Sequence, residues 1–362
     1  MDWSYKNSTQ IWIFSVGRGN AAFVRTGLNQ GFVLDMNATD FDVADFIERN
    51  FVPKLDKYKE NAIAQAVLSH PHGDHIAQCE RLQKGKQLYP TLLTCPHDKN
   101  FSDGSDSKEK LNWKRIKNRA TDTAAVDAYK GLYKDKDRHP PLQTIQFASK
   151  RTIPNIEYGL YYIQPPKCEA LHPSDDNAYG NSTSVMFYLR HGSNSILFPG
   201  DMTPEGMQHI LGEREGTQKR YTVFDRQATA NHPEWHTKSL DQPGLKALLR
   251  DRGLSILVAP HHGLESCYSP DLYAAMRLGK PQLVIISERR KKKDDDSAGK
   301  IHDNYSKDVG ASGLDVEVDG KKDPGRRRLT TVNGHHILIV FEGSGAPRVF
   351  AEKDPAKLPA KI

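Results

Sequence analysis

Three histidines and an aspartate fall within six positions of "LSHPHGDHIAQ", residues 68–78: His70, His72, Asp74 and His75. An apolar run, "AIAQAVL", leads straight into them. Alternation along an extended segment places His70, His72 and Asp74 on one side. His75 follows as the chain turns into a helix, and Gly73 permits the tight backbone that this change of direction needs. Four such donors converging would repel one another if charged, and would be costly to bury unpaired. A divalent cation removes both difficulties, because neutral imidazoles and a carboxylate are ordinary ligands of zinc, manganese or iron. A lone histidine would read as part of a surface turn; the pattern H-x-H-x-D-H directly after an apolar strand reads as a metal site.

The elements that must position these side chains are legible as alternating and helical periods. "IWIFSVG" predicts a strand ending in the turn "GRGN", and "AAFVRTG" and "GFVLDMN" a hairpin. "FDVADFIERNFVPKL" has helical spacing of Phe41, Val43, Phe46, Ile47 and Phe51. "AIAQAVLSH" is the next strand, and "IAQCERLQKG" a short helix. Residues 98–150 are polar and rich in Lys and Asp, and read as a helical insertion with basic faces: a solvated surface or a phosphate-facing lid. Strands return with "LYYIQPP", "TSVMFYLRHG" and "NSILFPGD", then a helix, "TPEGMQHIL". Helix, strand, helix and strand follow in "LKALLRDRG", "LSILVAPHHG", "DLYAAMRLG" and "PQLVIIS". A variable basic loop is expected over 288–330, "HHILIVFEG" as a final strand, and "KDPAKLPAKI" as a loose tail. Two strand-rich halves interleaved with helices predict one α/β domain over 1–362, two mixed sheets packed together with helices outside.

Bulk properties narrow the function classes. The 362 residues are 37% hydrophobic, and no run approaches the roughly 18–20 apolar residues of a spanning helix. The four cysteines (Cys79, Cys95, Cys168, Cys267) form no CxxC pair and read as reduced thiols. With "MDWSYKNSTQ" lacking the pattern of a signal peptide, a cytoplasmic protein with no membrane association is expected. A net charge of +6 is compatible with an anionic substrate.

The motif and the order of the later blocks resemble the metallo-β-lactamase fold superfamily. "FSVGRGNAAFVRT", "HPHGDH", "NSTSVMFYLRHGSNSILFPGDM" and "VAPHHG…SPDLYAAMRLGKPQLVIIS" are similar to successive blocks of its ComEC-type competence-domain branch, which includes stand-alone hydrolases. The resemblance covers about residues 10–100 and 160–290. It implies a four-layer αββα sandwich and two divalent ions, zinc or manganese. Ligands carried over onto this sequence are His70, His72, Asp74, His75, Asp201 in "SILFPGDM" and one of His261 and His262 in "SILVAPHHG", His261 being favoured because it comes first off the strand, with His172 as a candidate extra ligand. Asp35, Asn181 and Ser184 are expected to support the ligands from behind. Zinc β-lactamases place a third histidine in a middle motif where this chain has "NAYGNSTSV", so an open first ion on His70, His72 and Asp201 is expected.

The activity implied is hydrolysis of DNA phosphodiesters by a metal-activated hydroxide, oriented by Asp74, with His262 or Ser266 helping the leaving group. Arg18, Asn181, Lys291 and Lys292 are candidate substrate contacts; Arg18 stands in "VGRGN" where relatives commonly read "VGQGD". DNA is a more natural partner than RNA on this resemblance. Two alternatives stay open: a small-molecule hydrolase such as a cyclic-nucleotide phosphodiesterase or lactonase, and a scaffold or sensor keeping the fold without turnover.

Overall fold

The computed structural model describes residues 8–17, 19–27, 30–55, 62–98, 110–116, 123–134, 156–212, 244–288, 301–310 and 312–358, and the backbone of 220–224 and 237–241. The first strands are β1 (Thr9–Ile13), β2 (Ala21–Arg25), β3 (Gly31–Met36), β4 (Ile63–Val67) and β5 (Pro90–Thr94). Then come β6 (Ile156–Tyr161), β7 (Met186–His191), β8 (Asn194–Phe198), β9 (Arg220–Phe224), β10 (Thr237–Asp241), β11 (Ile256–Val258) and β12 (Leu283–Ile286). Last are β13 (Leu314–Val318), β14 (Lys321–Arg326), β15 (Arg328–Thr330), β16 (His336–Phe341) and β17 (Arg348–Glu352).

Nine strands form a mixed sheet in the order β14-β13-β17-β16-β1-β2-β3-β4-β5, and six form a second in the order β15-β12-β11-β8-β7-β6. Among the described residues, strands β9 and β10 pair only with each other. Away from β13, β14 and β15 at the edges, both large sheets are apolar on both faces, as the alternation shows. Ile11 and Ile13 face Phe187, Ile196, Val258 and Ile285 of the other sheet, whereas Trp12 and Phe14 point to the opposite layer.

Helices cover the two outer faces. Against the nine-stranded sheet lie α1 (Val43–Asn50), α2 (Gly73–Ile76) and α3 (Thr123–Lys134). Against the six-stranded sheet lie α4 (Pro165–Leu171), α5 (Asp176–Ser182), α6 (Pro204–Gly212), α7 (Leu245–Arg252), α8 (Pro270–Ala274) and α9 (Asn304–Lys307). The result is a mixed α/β fold whose layer order is consistent with an αββα sandwich. Among the described residues no helix is long and apolar enough to cross a membrane, and all four cysteines are buried free thiols.

Several sequence expectations need correction. The helix expected over "IAQCERLQKG" is two short turns, α2 and a 3-10 turn at Cys79–Leu82. Gln78 breaks it: its N–H donates to the Met36 carbonyl, and its side chain bonds both Asp42 and the Ala44 N–H. The described helix of the 98–150 insertion, α3, is no basic lid. Val126, Tyr129, Leu132 and Tyr133 are buried in the core of the first helix layer. The 288–330 segment is not one loop, because β13–β15 and α9 lie within it. Asp319 and Gly320, both at positive φ, make the tight turn between β13 and β14, an Asp-Gly pair being a strong hairpin signal. The expected final strand, β16, is followed by β17. The tail is packed as far as Leu358, which is 1% exposed and sits in the same core as Phe350 and Trp12.

A Leu358→Ala substitution is therefore expected to cost about 2–5 kcal/mol, the range for truncating a buried leucine. A loose tail would lose no more than about 0.5 kcal/mol. Urea unfolding of the two proteins separates these outcomes.

Candidate metal centre

The histidines and carboxylates converge because parallel neighbours bring strand ends to one rim. β3, β4 and β5 run parallel in one sheet, and β8, β11 and β12 in the other. Ligand sites in α/β sheets form beyond such carboxyl ends. Ser69, His70 and His72 leave β4; Asp201 leaves β8 after Gly200; His261 and His262 leave β11; Ser287 leaves β12. Gly200 has φ +60°, and a methyl group there would sit 2.9 Å from Ser69 Cβ, so this tight exit excludes other residues.

Asp35 arrives by a different device. Ala21 pairs with Met36 but Ala22 with Leu34, so Asp35 is the extra residue of a β-bulge. Its φ of +53° lies in the left-handed region, which aspartate tolerates better than most residues. A bulge re-aims a side chain, and this one aims the Asp35 carboxylate at the histidine loop. It accepts from the Ser69 N–H at 2.6 Å, the Ser69 hydroxyl at 2.9 Å and His75 Nδ1 at 2.8 Å.

Among the described residues, two groups of side chains have ligand atoms close enough to share a cation: His70, His75 and Asp201, and Asp74, His75 and His262. His75 belongs to both. His75 Nε2 lies 3.2 Å from Asp201 Oδ1, His262 Nε2 3.9 Å from the same oxygen, and His70 Nε2 3.7 Å from Asp201 Oδ2. His72 presents Nδ1 3.0 Å from His70 Nε2. His75 Nε2, His262 Nε2 and Asp201 Oδ1 are buried with no hydrogen-bond partner. Orphaned buried polar atoms are rare and call for an explanation; a divalent ion between these three provides one, so the donor set fits a metal.

The electrostatics divide His70 and His72 from His75 and His262: the first two are shifted toward the neutral form and the other two toward the cationic form, whose protons a bound cation would have to displace. Burial lowers the basicity of His70 well below the usual value, and that of His72 to about 4, so both rings are neutral as ligands must be. Burial also pulls His75 and His262 down, but the facing carboxylates (Asp201 and Asp35, Asp201 and Asp74) outweigh it and raise both. Burial pushes Asp201 and Asp74 up. The imidazoles around them more than reverse this and hold both carboxyls well below the usual range. The rim thus draws in positive charge.

The expected residues are not all placed as read from the sequence. His262, read as a helper of the leaving group, is the residue beside Asp74 and His75, its Nδ1 fixed by the Ser287 carbonyl at 2.9 Å. His261, read as the ligand, stands at the edge with Nε2 3.5 Å from Asp201 Oδ2, in neither group. His172 faces away, its Nε2 held by the hydroxyls of Ser182 at 2.7 Å and Thr203 at 3.2 Å. Ser184 lies behind the ligands: its hydroxyl accepts from the Asp201 N–H and lies 3.4 Å from His70 Nδ1. Asn181 touches His261. Ser266 is exposed, 3.9 Å from Cys267 Sγ. Arg18, Lys291 and Lys292 lie outside the described residues. Ser69, Ser287 and Cys267 were missed; Ser69 and Ser287 each stand at the end of an apolar strand, which was the available signal.

No family model matches this chain, and no curated protein matches it.

Two measurements follow. Zinc or manganese in about 100-fold excess over its dissociation constant should stabilise the protein by about 2.7 kcal/mol, seen as a rise in Tm that Asp201→Ala abolishes. A methyl group at Gly180, in α5, would sit 2.6 Å from His72 Nε2. Gly180→Ala should leave the fold intact but weaken metal binding about 10–100-fold, as changes behind a ligand do, in a competitive chelator titration.

Proposed function

We propose that the chain is a metal-dependent hydrolase of the metallo-β-lactamase type, acting as a nuclease or phosphodiesterase on DNA. The observation that carries the reading is the pair of His/Asp groups sharing His75 at the meeting rim of two sheets, with buried nitrogen and oxygen atoms left unpartnered. The layer order supports the fold assignment, and the ComEC-type order of sequence blocks supports the phosphodiester substrate.

In this reading His70, His72 and Asp201 would hold one ion, and Asp74, His75 and His262 the other; His72 lies outside both groups and would join the first through Nδ1, 3.0 Å from His70 Nε2. Bound there, two divalent ions supply Lewis-acid charge for the oxygens of a scissile group and a water of lowered pKa. The chain's own contribution is orientation. His75 donates Nδ1–H to Asp35, which turns the Nε2 lone pair toward the rim. His262 does the same through the Ser287 carbonyl. His70 Nδ1 donates to Ser69 Oγ at 3.1 Å, and that hydroxyl donates onward to Asp35. A single carboxylate therefore sets two ligands, and such partners keep ligands in the productive tautomer.

The test is direct. Purified protein with Mn²⁺ should degrade DNA, and His72→Ala and Asp201→Ala should fall to the background of a mock preparation. Equal activity of wild type and variants would overturn the proposal. Turnover of cyclic nucleotides or lactones in the absence of DNA cleavage would move the substrate to a small molecule.

A further inference from the structure

Three helices on the outer layer of the six-stranded sheet, α6, α7 and α8, surround a cavity of about 450 Å³. None of its lining residues belongs to the His/Asp groups of the rim. Its charge is one-sided. Among the described residues, Lys246 and Arg250 of α7 and Arg277, just beyond α8, line it with a single carboxylate, Asp271.

That clustering is unfavourable while the cavity holds only water. Lys246 and Arg250 are four apart on one helix, so the two cations share a face and repel. Lys246 also sits in the first turn of α7, which has no acidic residue, and a cation there opposes the helix dipole. Relief from outside is partial. Asp251 accepts from Arg250 Nε at 2.6 Å and attracts Arg277. Its side chain is 57% exposed, however, and it does not line the cavity; such surface pairs hold cations weakly. Among the described residues no salt bridge involves Lys246. An anion seated between the three cations would offset their repulsion, and low-dielectric walls would strengthen its hold.

The size of the cavity says more about that anion. A bare phosphate or sulfate would leave most of the 450 Å³ empty, whereas sites for small organic ligands run about 300–1,000 Å³. Leu211 and Ala274 supply apolar lining, and the Gln208 amide and Asp271 carboxylate supply acceptors.

We propose that this cavity binds a small phosphorylated ligand of the nucleoside-phosphate class, its phosphates between Lys246, Arg250 and Arg277 and its nucleoside against Leu211 and Ala274. Asp271 accepts from an N–H or O–H of the ligand. The site is separate from the metal centre and does not rest on the hydrolase reading.

Calorimetric titration of the metal-free protein with ADP, GDP, CDP and UDP tests it, metal removal keeping the rim from capturing phosphates. At least one of them should bind one-to-one. The matching nucleoside and inorganic pyrophosphate should each bind at least about tenfold more weakly, the scale of one lost hydrogen bond to a charged group. Lys246→Glu and Arg277→Glu should each weaken binding by at least about the same factor; both residues are exposed, so the wild-type Tm should be kept. Ala274→Trp, which alters no charge, should block the cavity.

Failure of all four nucleotides to bind, or binding that survives these three substitutions, would overturn the proposal. Pyrophosphate binding as tightly as the nucleotide would overturn the nucleoside assignment. A single-stranded oligonucleotide that binds through Lys246 and Arg277 while the nucleotides do not would make this face a nucleic-acid contact instead. Metal uptake at the rim is measured separately, so the two readings stand or fall independently.

Discussion

The Asp201 carboxylate, 1% exposed, faces nitrogen atoms of His70, His75, His261 and His262 within 3.2–3.9 Å. A buried charge of this kind is tolerable only when compensated, and the rest of the molecule can be understood as supplying that compensation at one place. The ring of imidazoles comes from two separate strand exits, those of β4 and β11, and the carboxylate from a third, that of β8. No single segment could provide it, because successive side chains of one strand diverge. The carboxylate therefore ties the local chemistry to the sandwich as a whole.

Hydrogen bonds to main-chain carbonyls tie the strand exits together, within each sheet and between the two, around that charge. The Val185 N–H donates to the Ser69 carbonyl at 2.8 Å, joining the start of β7 to the histidine loop. The His261 N–H donates to the Gly200 carbonyl at 3.0 Å, fixing β11's exit against β8's. The Asn20 N–H donates to the Asp74 carbonyl at 3.2 Å, and the Ser287 hydroxyl to the Gly19 carbonyl at 2.7 Å. Each bond satisfies a backbone group that the loops would otherwise bury unpaired. Each also fixes the position of an adjacent ligand candidate. The outward-facing cores do the same at longer range: Trp12, Phe14 and Phe51 lock α1 on one side, and Met207, Leu249 and Leu272 lock the helices on the other.

Much of this was legible in the sequence where periodicity is strong. The strands around 11, 23, 33, 65, 188, 196, 257 and 285 are short apolar runs bounded by turn residues, and the H-x-H-x-D-H cluster announced itself by composition. Charge density misled elsewhere. In α3 the apolar residues Val126, Tyr129, Leu132 and Tyr133 keep a buried stripe, but Lys- and Asp-rich flanks hid it. In β13 and β14 the Lys and Arg residues read as loop, although Asp319 and Gly320 carried the hairpin signal. The Asp35 bulge could not be read at all, since a register shift belongs to a pair of strands and not to one segment. Neither could the choice between His261 and His262, which depends on Ser287 and Cys267 finding the two rings from elsewhere in the fold.

Backbone strain gathers where those unreadable choices are made. Of the four described non-glycine residues at positive φ, three are Asp35, His261 and His262. Such conformations cost about 1–3 kcal/mol each and persist only where surrounding contacts over-determine them. Here the contacts are visible: three donors on the Asp35 carboxylate, a carbonyl on one histidine, and a thiol with an amide on the other. Ordinary extended backbone would send His261 and His262 to opposite faces of the sheet, one of them into an apolar layer. Left-handed geometry instead keeps both rings on the rim while giving each a different anchor. The strain is thus what lets adjacent residues of the same type approach one carboxylate while taking different anchors, a placement that neither residue type nor spacing can specify.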